Sequence, residues 1–349
     1  MRKELYADLW ERLHCKAEQE TFPLRVMFEL TYECNFQCCH CYIPKSFREK
    51  YRKRQLKTKQ VFRVIDELKE AGCLYLGFTG GEPFVRPDTM LILEYAKKQG
   101  FQVIIYTNGS LLNQEIVRKL AVINPNKVDI TLPGVSKQVF ESITGIPGSR
   151  GAVFKGIGLL HKNKIALGFK TCLLKQNAEE TSKIKEFSLS LNAQHRLDTL
   201  LCARLDGSIE PYEYRGELPV SKKSKIAIKK KPVCEGECAS KSKNPASLFT
   251  CGAGKSQAAI TPAGGLKLCL MISHPVYDLL SMSFSKAWGK LKTFAGNIKP
   301  DKSYSCLECG LKLYCKWCPA RGWLYNGNFC VCDPQTRRFA QKLKGFYAH

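Results

Sequence analysis

The sequence predicts an α/β protein: a partial, open (β/α)6 TIM-like barrel followed by a cysteine-rich C-terminal domain. Two observations predict it. From Leu24 to about Gly207, short apolar runs rich in strand-forming residues alternate with amphipathic segments, which is the pattern of strand-helix units around a parallel sheet. Six such units occur, fewer than the eight of a closed TIM barrel, so ligands are expected at the C-terminal ends of the strands of an open one. After Gly207 the alternation ends, and cysteines crowd among turn residues.

Residues 1–23 form a lead-in segment in which Glu4, Asp8, Glu11 and Glu18 interrupt the apolar core that a signal peptide needs. Within a barrel at 24–207, strands are expected near 25–30, 74–78, 103–106, 128–132, 168–173 and 199–203. Helices fit between them at 58–71, 87–99, 113–122, 151–161 and 178–189. Residues 208–250 read as a basic linker in which Lys222, Lys223, Lys225, Lys229, Lys230 and Lys231 precede Cys234 and Cys238. Such a run is either a solvated loop or a dock for an acidic partner. In 251–349 little regular periodicity is visible, and metal rather than a large apolar core is expected to organise the chain.

The 349 residues are 44% hydrophobic, ordinary for a soluble globular chain. No stretch reaches transmembrane length. The expected compartment is the cytoplasm, where thiols are kept reduced, so the 18 cysteines point to metal rather than to disulfides. Lys and Arg number 55 against 31 Asp and Glu, a net charge of +24. That excess suits an acidic peptide, nucleic acid or an anionic surface, and charge alone does not choose among them.

Directly after the first expected strand, Cys34, Cys38 and Cys41 stand in the spacing C-x3-C-x2-C. Three thiolates leave one iron of a 4Fe-4S cube without a protein ligand, and a small molecule offering an amine and a carboxylate can chelate that iron. Zinc is the alternative, with Cys39 or His40 closing a tetrahedral site. The second strand runs into Thr79-Gly80-Gly81-Glu82-Pro83. Its two glycines admit a close backbone approach to a ligand, and Glu82 can accept from an ammonium group. Together with the cysteine loop, this weighs against zinc.

On those two motifs the chain resembles the radical S-adenosylmethionine (SAM) superfamily. The resemblance implies that Cys34, Cys38 and Cys41 bind the catalytic 4Fe-4S cluster, that Gly80, Gly81, Glu82 and Pro83 approach the amino group of SAM, and that His40 fills the usual aromatic position before the last cysteine. It further implies that Thr107, Asn108 and Gly109 contact the ribose and that Thr131 takes a ribose-binding position. Pro133 departs from the polar residue common at that strand end.

The C-terminal cysteines run Cys251, Cys269, Cys306-x2-Cys309-x5-Cys315-x2-Cys318, Cys330 and Cys332. Taken alone, C-x2-C pairs suit zinc ribbons as well as clusters. Their order resembles the SPASM extension of radical SAM enzymes that modify peptides and proteins. By that resemblance Cys251, Cys269 and Cys318, with Cys238 or Cys234, would hold one auxiliary 4Fe-4S cluster. Cys306, Cys309 and Cys315, with Cys332 or Cys330, would hold a second. The Cys315–Cys318 gap is one residue shorter than usual. Cys15, Cys39 and Cys73 are left over, as are Cys172 and Cys202, which are placed on the fifth and sixth expected strands. The last two are either small buried hydrophobes or thiols able to give a hydrogen atom to a substrate radical.

The resemblance implies reductive cleavage of SAM to a 5'-deoxyadenosyl radical, followed by hydrogen abstraction from a substrate. A ribosomally made peptide is the favoured substrate, with a crosslink, thioether or epimerisation as the change. A separate leader-recognition protein is an expected partner, and a reductase, flavodoxin or ferredoxin the expected electron donor. An anaerobic sulfatase maturase is the nearest rival, but Leu270 follows Cys269 where those enzymes carry an aspartate. A zinc-ribbon nucleic-acid binder would leave the Gly-Gly-Glu-Pro segment unexplained, and a non-catalytic electron carrier would need no SAM pocket.

Overall fold

The computed structural model describes residues 2–217, 248–249 and 251–347, with side chains placed for 9–217, 248–249 and 251–345. Six parallel strands lie side by side in chain order: β1 (Arg25–Thr31), β2 (Tyr75–Gly80), β3 (Gln102–Thr107), β4 (Lys127–Thr131), β5 (Leu167–Cys172) and β6 (Gln194–Asp198). On the other edge of β1, β7 (Gln257–Ile260) pairs in parallel, and β8 (Gly265–Lys267) and β9 (Tyr277–Asp278) follow antiparallel. The sheet runs β6-β5-β4-β3-β2-β1-β7-β8-β9 and does not close. This is the open barrel that the strand-helix alternation predicts.

The connecting helices are α1 (Arg2–Glu20), α2 (Lys45–Arg52), α3 (Thr58–Glu70), α4 (Thr89–Lys98), α5 (Gln114–Ile123), α6 (Lys137–Thr144), α7 (Ser149–Lys162) and α8 (Thr181–Ser190). Helix α3 shows why they form. Val61, Val64, Ile65 and Leu68 recur at helical spacing and are buried, so one stripe faces the sheet. Helix starts are fixed by side chains: Asn113 Oδ1 accepts from the Ile116 N–H at 2.9 Å, and Ser136 caps α6 in the same way, each satisfying an otherwise unpaired amide.

Two expectations need correction. The sixth strand is Gln194–Asp198 rather than 199–203, because β6 is a sheet edge bonded only to β5, where polar residues are tolerated. The apolar run that suggested a strand, with Thr199, Leu200, Leu201 and Ala203 buried, instead fills the core as irregular chain, so Cys202 follows β6. The C-terminal region is also more regular than expected. The Phe284–Asn297 helix buries Phe284, Ala287, Trp288, Leu291 and Ala295, and the Pro319–Asn326 and Pro334–Tyr347 helices follow it. Apolar packing therefore shares the work that had been given to metal. Cys234, Cys238 and the lysine-rich run lie outside the described residues. Among the described residues, no helix is long and apolar enough to cross a membrane.

Candidate functional site

Every strand-end motif gathers at the C-terminal edge of β1–β5. The loop after β1 is clamped to α6: Gln37 N–H donates to Thr144 O (2.9 Å) and Cys39 N–H to Ile143 O (3.1 Å), so the free carbonyls of a helix C-terminus fix the loop. Within it, Cys41 N–H donates to Cys38 O at 3.1 Å. Burial pushes the Cys34 thiol up to about 11. Cys38 is raised further, by burial and then by the neighbouring Cys41, Cys34 and Cys39. Cys34 and Cys38 thus share one desolvated neighbourhood, and Cys41 adjoins both. Arg48 of α2 reaches into it, with Nη1 donating to Phe36 O (3.0 Å) and Nη2 to Cys41 Sγ (3.6 Å).

The end of β2 lies against the same loop. Gly81 N–H donates to Thr31 O (2.7 Å) and Glu82 N–H to Glu33 O (2.8 Å). A Cβ on Gly80, where φ is +140°, would lie 2.0 Å from Thr31 O, and one on Gly81 would lie 2.2 Å from Glu33 O and 2.6 Å from Tyr32 O. Only glycine permits this approach. Gly81→Ala is therefore expected to lower the unfolding free energy by roughly 2 kcal/mol or more, whereas Gly151→Ala in α7, where a Cβ meets nothing within 4 Å, should be neutral or stabilising. Urea denaturation of the two variants compares them, and equal stability would refute the packing account.

Glu82 is wholly buried. Its carboxylate accepts from Thr107 Oγ1 (2.7 Å), Asn108 N–H (2.6 Å) and Phe84 N–H (3.1 Å), so three of about four lone-pair positions are filled and one remains. The carboxylate ties β2 to β3, and Asn108 Nδ2 continues toward Asn35 Oδ1 (2.9 Å) and Cys34 Sγ (3.8 Å). Burial raises Glu82 from its ordinary 4.5 to about 7 against these hydrogen bonds. Between those values the folded chain holds a proton that the unfolded chain has lost. Stability should thus fall as pH rises through this window, by on the order of 3 kcal/mol in all. Urea denaturation of ligand-free protein at pH 5 and pH 8 should show that drop, and Glu82→Gln should flatten it; an unchanged slope in the variant would assign the drop to other groups.

The sequence reading missed a buried charge network beside this edge. Lys267 Nζ of β8 lies 2.9 Å from Glu29 Oε2 of β1, with both side chains almost fully buried. Glu29 also accepts from Tyr32 OH (2.9 Å) and Tyr42 OH (3.0 Å), and Lys267 donates to Leu270 O (3.0 Å). Both tyrosines are raised well above the usual phenol range, first by burial and next by Glu29. One carboxylate thus joins the Cys41–Tyr42 end of the loop to the chain just before Cys269. The available signal was Glu29 itself, a lone charge within an apolar strand run.

The C-terminal thiols fall into two groups. Cys318 interacts with Cys251, and Cys269 with Cys318; burial lifts Cys269 to about 12. Cys306 and Cys332 are each pushed up to about 11 by burial and then by their neighbours, which include Cys315 and Cys309 for both. Cys330 is buried, with Sγ directed to Lys299 O at 3.7 Å. Cys172, the last residue of β5, packs like Cys39, Tyr212 and Tyr214 against the buried Ile143, Leu174 and Leu201, and Cys202 interacts with Arg321, Cys172 and Cys318. Thr131 ends β4, Gly109 takes φ +79° after β3, and Pro83 opens a short 3-10 turn after β2. Among the described residues, no three Cys, His, Asp or Glu side chains converge tightly enough to hold a single metal ion.

Residues 28–188, which contain the cysteine loop and the ends of β2 to β5, match the family model described as Radical SAM superfamily. Those residues form a radical SAM domain, and the protein is an enzyme. This radical SAM protein is 26% identical over 335 residues to the AdoMet-dependent heme synthase of Methanosarcina barkeri, covering 89% of this chain and 95% of that one. It is 27% identical over 306 residues to the mycofactocin maturase of Mycobacterium ulcerans, covering 82% of this chain and 80% of that one. Its fold superposes on Streptococcus suis SuiB bound to the precursor peptide SuiA with a TM-score of 0.68 at 15% identity, over 95% of this chain and 81% of SuiB.

A radical SAM domain implies a 4Fe-4S cluster and SAM. The residues present fit both. Three half-buried, soft sulfur donors on one loop suit an iron-sulfur cluster. His40 Nδ1 in the loop and Arg48 Nε beside it are buried without a hydrogen-bond partner, and Glu82, with three hydrogen bonds accepted, keeps one acceptor position that suits an ammonium group.

Proposed function

We propose that this protein matures a ribosomally made peptide in the cytoplasm, installing a crosslink, a thioether or an inverted stereocentre. The match to mycofactocin maturase carries the peptide reading, because it spans 82% of this chain and so extends beyond the barrel. In this reading Cys34, Cys38 and Cys41 hold the catalytic cluster, and Glu82 offers its remaining acceptor position to the SAM ammonium. Thr107, Asn108, Gly109 and Thr131 line the ribose side. Bound there, the cluster and SAM would supply the electron and the radical chemistry. The C-terminal end of the barrel would orient the substrate C–H bond and exclude competing donors.

Cys251, Cys269 and Cys318, with Cys238 or Cys234, would form one auxiliary ligand set and Cys306, Cys309, Cys315 and Cys332 the other; the nearness of the thiols within each described group supports this division. Cys172 and Cys202 would be either small buried hydrophobes or thiols that give a hydrogen atom to a substrate radical. A separate protein would present the peptide leader.

A haem precursor is the second reading, favoured by the heme synthase match, which spans 95% of that relative. Anaerobic, reconstituted protein supplied with SAM and reductant separates the two. It would be given, in parallel, the short peptides encoded beside its gene and Fe-coproporphyrin III, with products read by mass spectrometry. A mass change in a peptide is expected; conversion of the porphyrin with every peptide unchanged would overturn the peptide reading.

A further inference from the structure

We propose that the outer face of α2 is where an acidic electron-transfer protein of the flavodoxin or ferredoxin type docks to reduce the catalytic cluster. The inference rests on the radical SAM reading of the Cys34–Cys41 loop. Helix α2 and the two residues after it hold Lys45, Arg48, Lys50, Arg52, Lys53 and Arg54 against the single acid Glu49. No residue of α2 is buried, and Lys45, Lys50, Arg52, Lys53 and Arg54 are exposed.

Other surface helices neutralise their charge internally: Glu94 pairs with Lys98, Glu115 with Lys119 and Arg63 with Glu67. In this segment Arg48 and Arg52, and Lys50 and Arg54, stand four residues apart with like charge, an arrangement that weakens a helix. The helix macrodipole favours cations in the last turn but does not account for the whole run. The inner side is committed to the loop: Arg48 contacts Phe36 O and Cys41 Sγ, Arg52 pairs with Glu33, and Phe47 and Tyr51 pack on Tyr32.

A helix with its side chains is about 10–12 Å across, so a protein seated on the outer face comes within about one helix width of Cys41. An acidic surface there matches the charge, steers encounter and fixes orientation. The step moves one electron: the donor's flavin or iron-sulfur centre is oxidised by one, the cluster is reduced by one, and no bond in this chain changes.

The test uses reconstituted full-length protein, a reduced or oxidised flavodoxin as probe, and the triple variant Lys45→Glu, Lys50→Glu, Lys53→Glu. Arg48 and Arg52, which contact the loop, stay untouched. Calorimetric titration with flavodoxin at low salt is expected to show about tenfold or greater weakening in the triple variant. The control Lys162→Glu, Lys183→Glu, Lys185→Glu, with the same charge change on α7 and α8, should bind as wild type. Flavodoxin-driven 5'-deoxyadenosine formation should fall in the α2 variant while dithionite-driven formation is unchanged. Equal flavodoxin affinity in both triple variants would overturn the dock, as would an α2 variant that loses affinity for polyglutamate peptide but not for flavodoxin. If wild-type protein forms no 5'-deoxyadenosine even with dithionite, the radical SAM activity itself fails, and the binding titration distinguishes that failure from failure of the dock.

Discussion

Replacing any one of Cys34, Cys38 and Cys41 by serine is expected to abolish 5'-deoxyadenosine formation, to a level indistinguishable from protein-free controls. In the proposed reading these positions supply all the protein sulfur for a cluster that must keep one iron free, so losing one donor leaves too few ligands to hold it. Cys39→Ser, within the same loop, is the matched control, because the resemblance gives that residue no ligand role. Iron and sulfide analysis with low-temperature electron paramagnetic resonance of the reduced protein should show one cluster fewer in each motif variant and none lost in the control. A Cys39 variant that loses iron while a Cys38 variant keeps it would reassign the ligands.

Lys267→Met is expected to be the most damaging substitution away from the cysteines. It leaves the Glu29 carboxylate at 0% exposure with two tyrosine hydroxyls but no cation, and breaking a buried pair by removing one partner costs about 3–5 kcal/mol. The double variant Lys267→Met, Glu29→Leu should recover much of that loss, because no charge remains to be desolvated, although the hydroxyls of Tyr32 and Tyr42 then lose their acceptor. Anaerobic urea denaturation of wild type, both single variants and the double variant closes the cycle. Single-variant losses under about 1 kcal/mol would mean that water reaches the pair and that it is in effect a surface salt bridge.

The barrel was legible because its signals are local. Alternating burial of Val103 and Ile105 in β3, or of Val128 and Ile130 in β4, needs only two-residue periodicity, and the cysteine loop and the Gly-Gly-Glu-Pro segment are contiguous. The sixth strand was misplaced because burial, not pairing, governs the apolar run after it. The C-terminal strands were missed because they are short and owe their form to partners far away in sequence: Arg25 pairs with Gln257. Glu29 and Lys267 were invisible as a pair for the same reason. Glu82 was identified from its motif, but its three hydrogen bonds and complete burial, which make it a clamp between two strands, could be seen only in the fold.

The pairing of β1 with β7 also sets an order of events during synthesis. The strand that leads into the cysteine loop gains its β2 neighbour early, but its other edge stays bare until the chain beyond Cys251 has emerged. Until then β1 is an exposed template for strands of other molecules, and such long-range parallel pairing is intrinsically slow. Folding intermediates should therefore be most prone to self-association at the strand on which the chemistry depends.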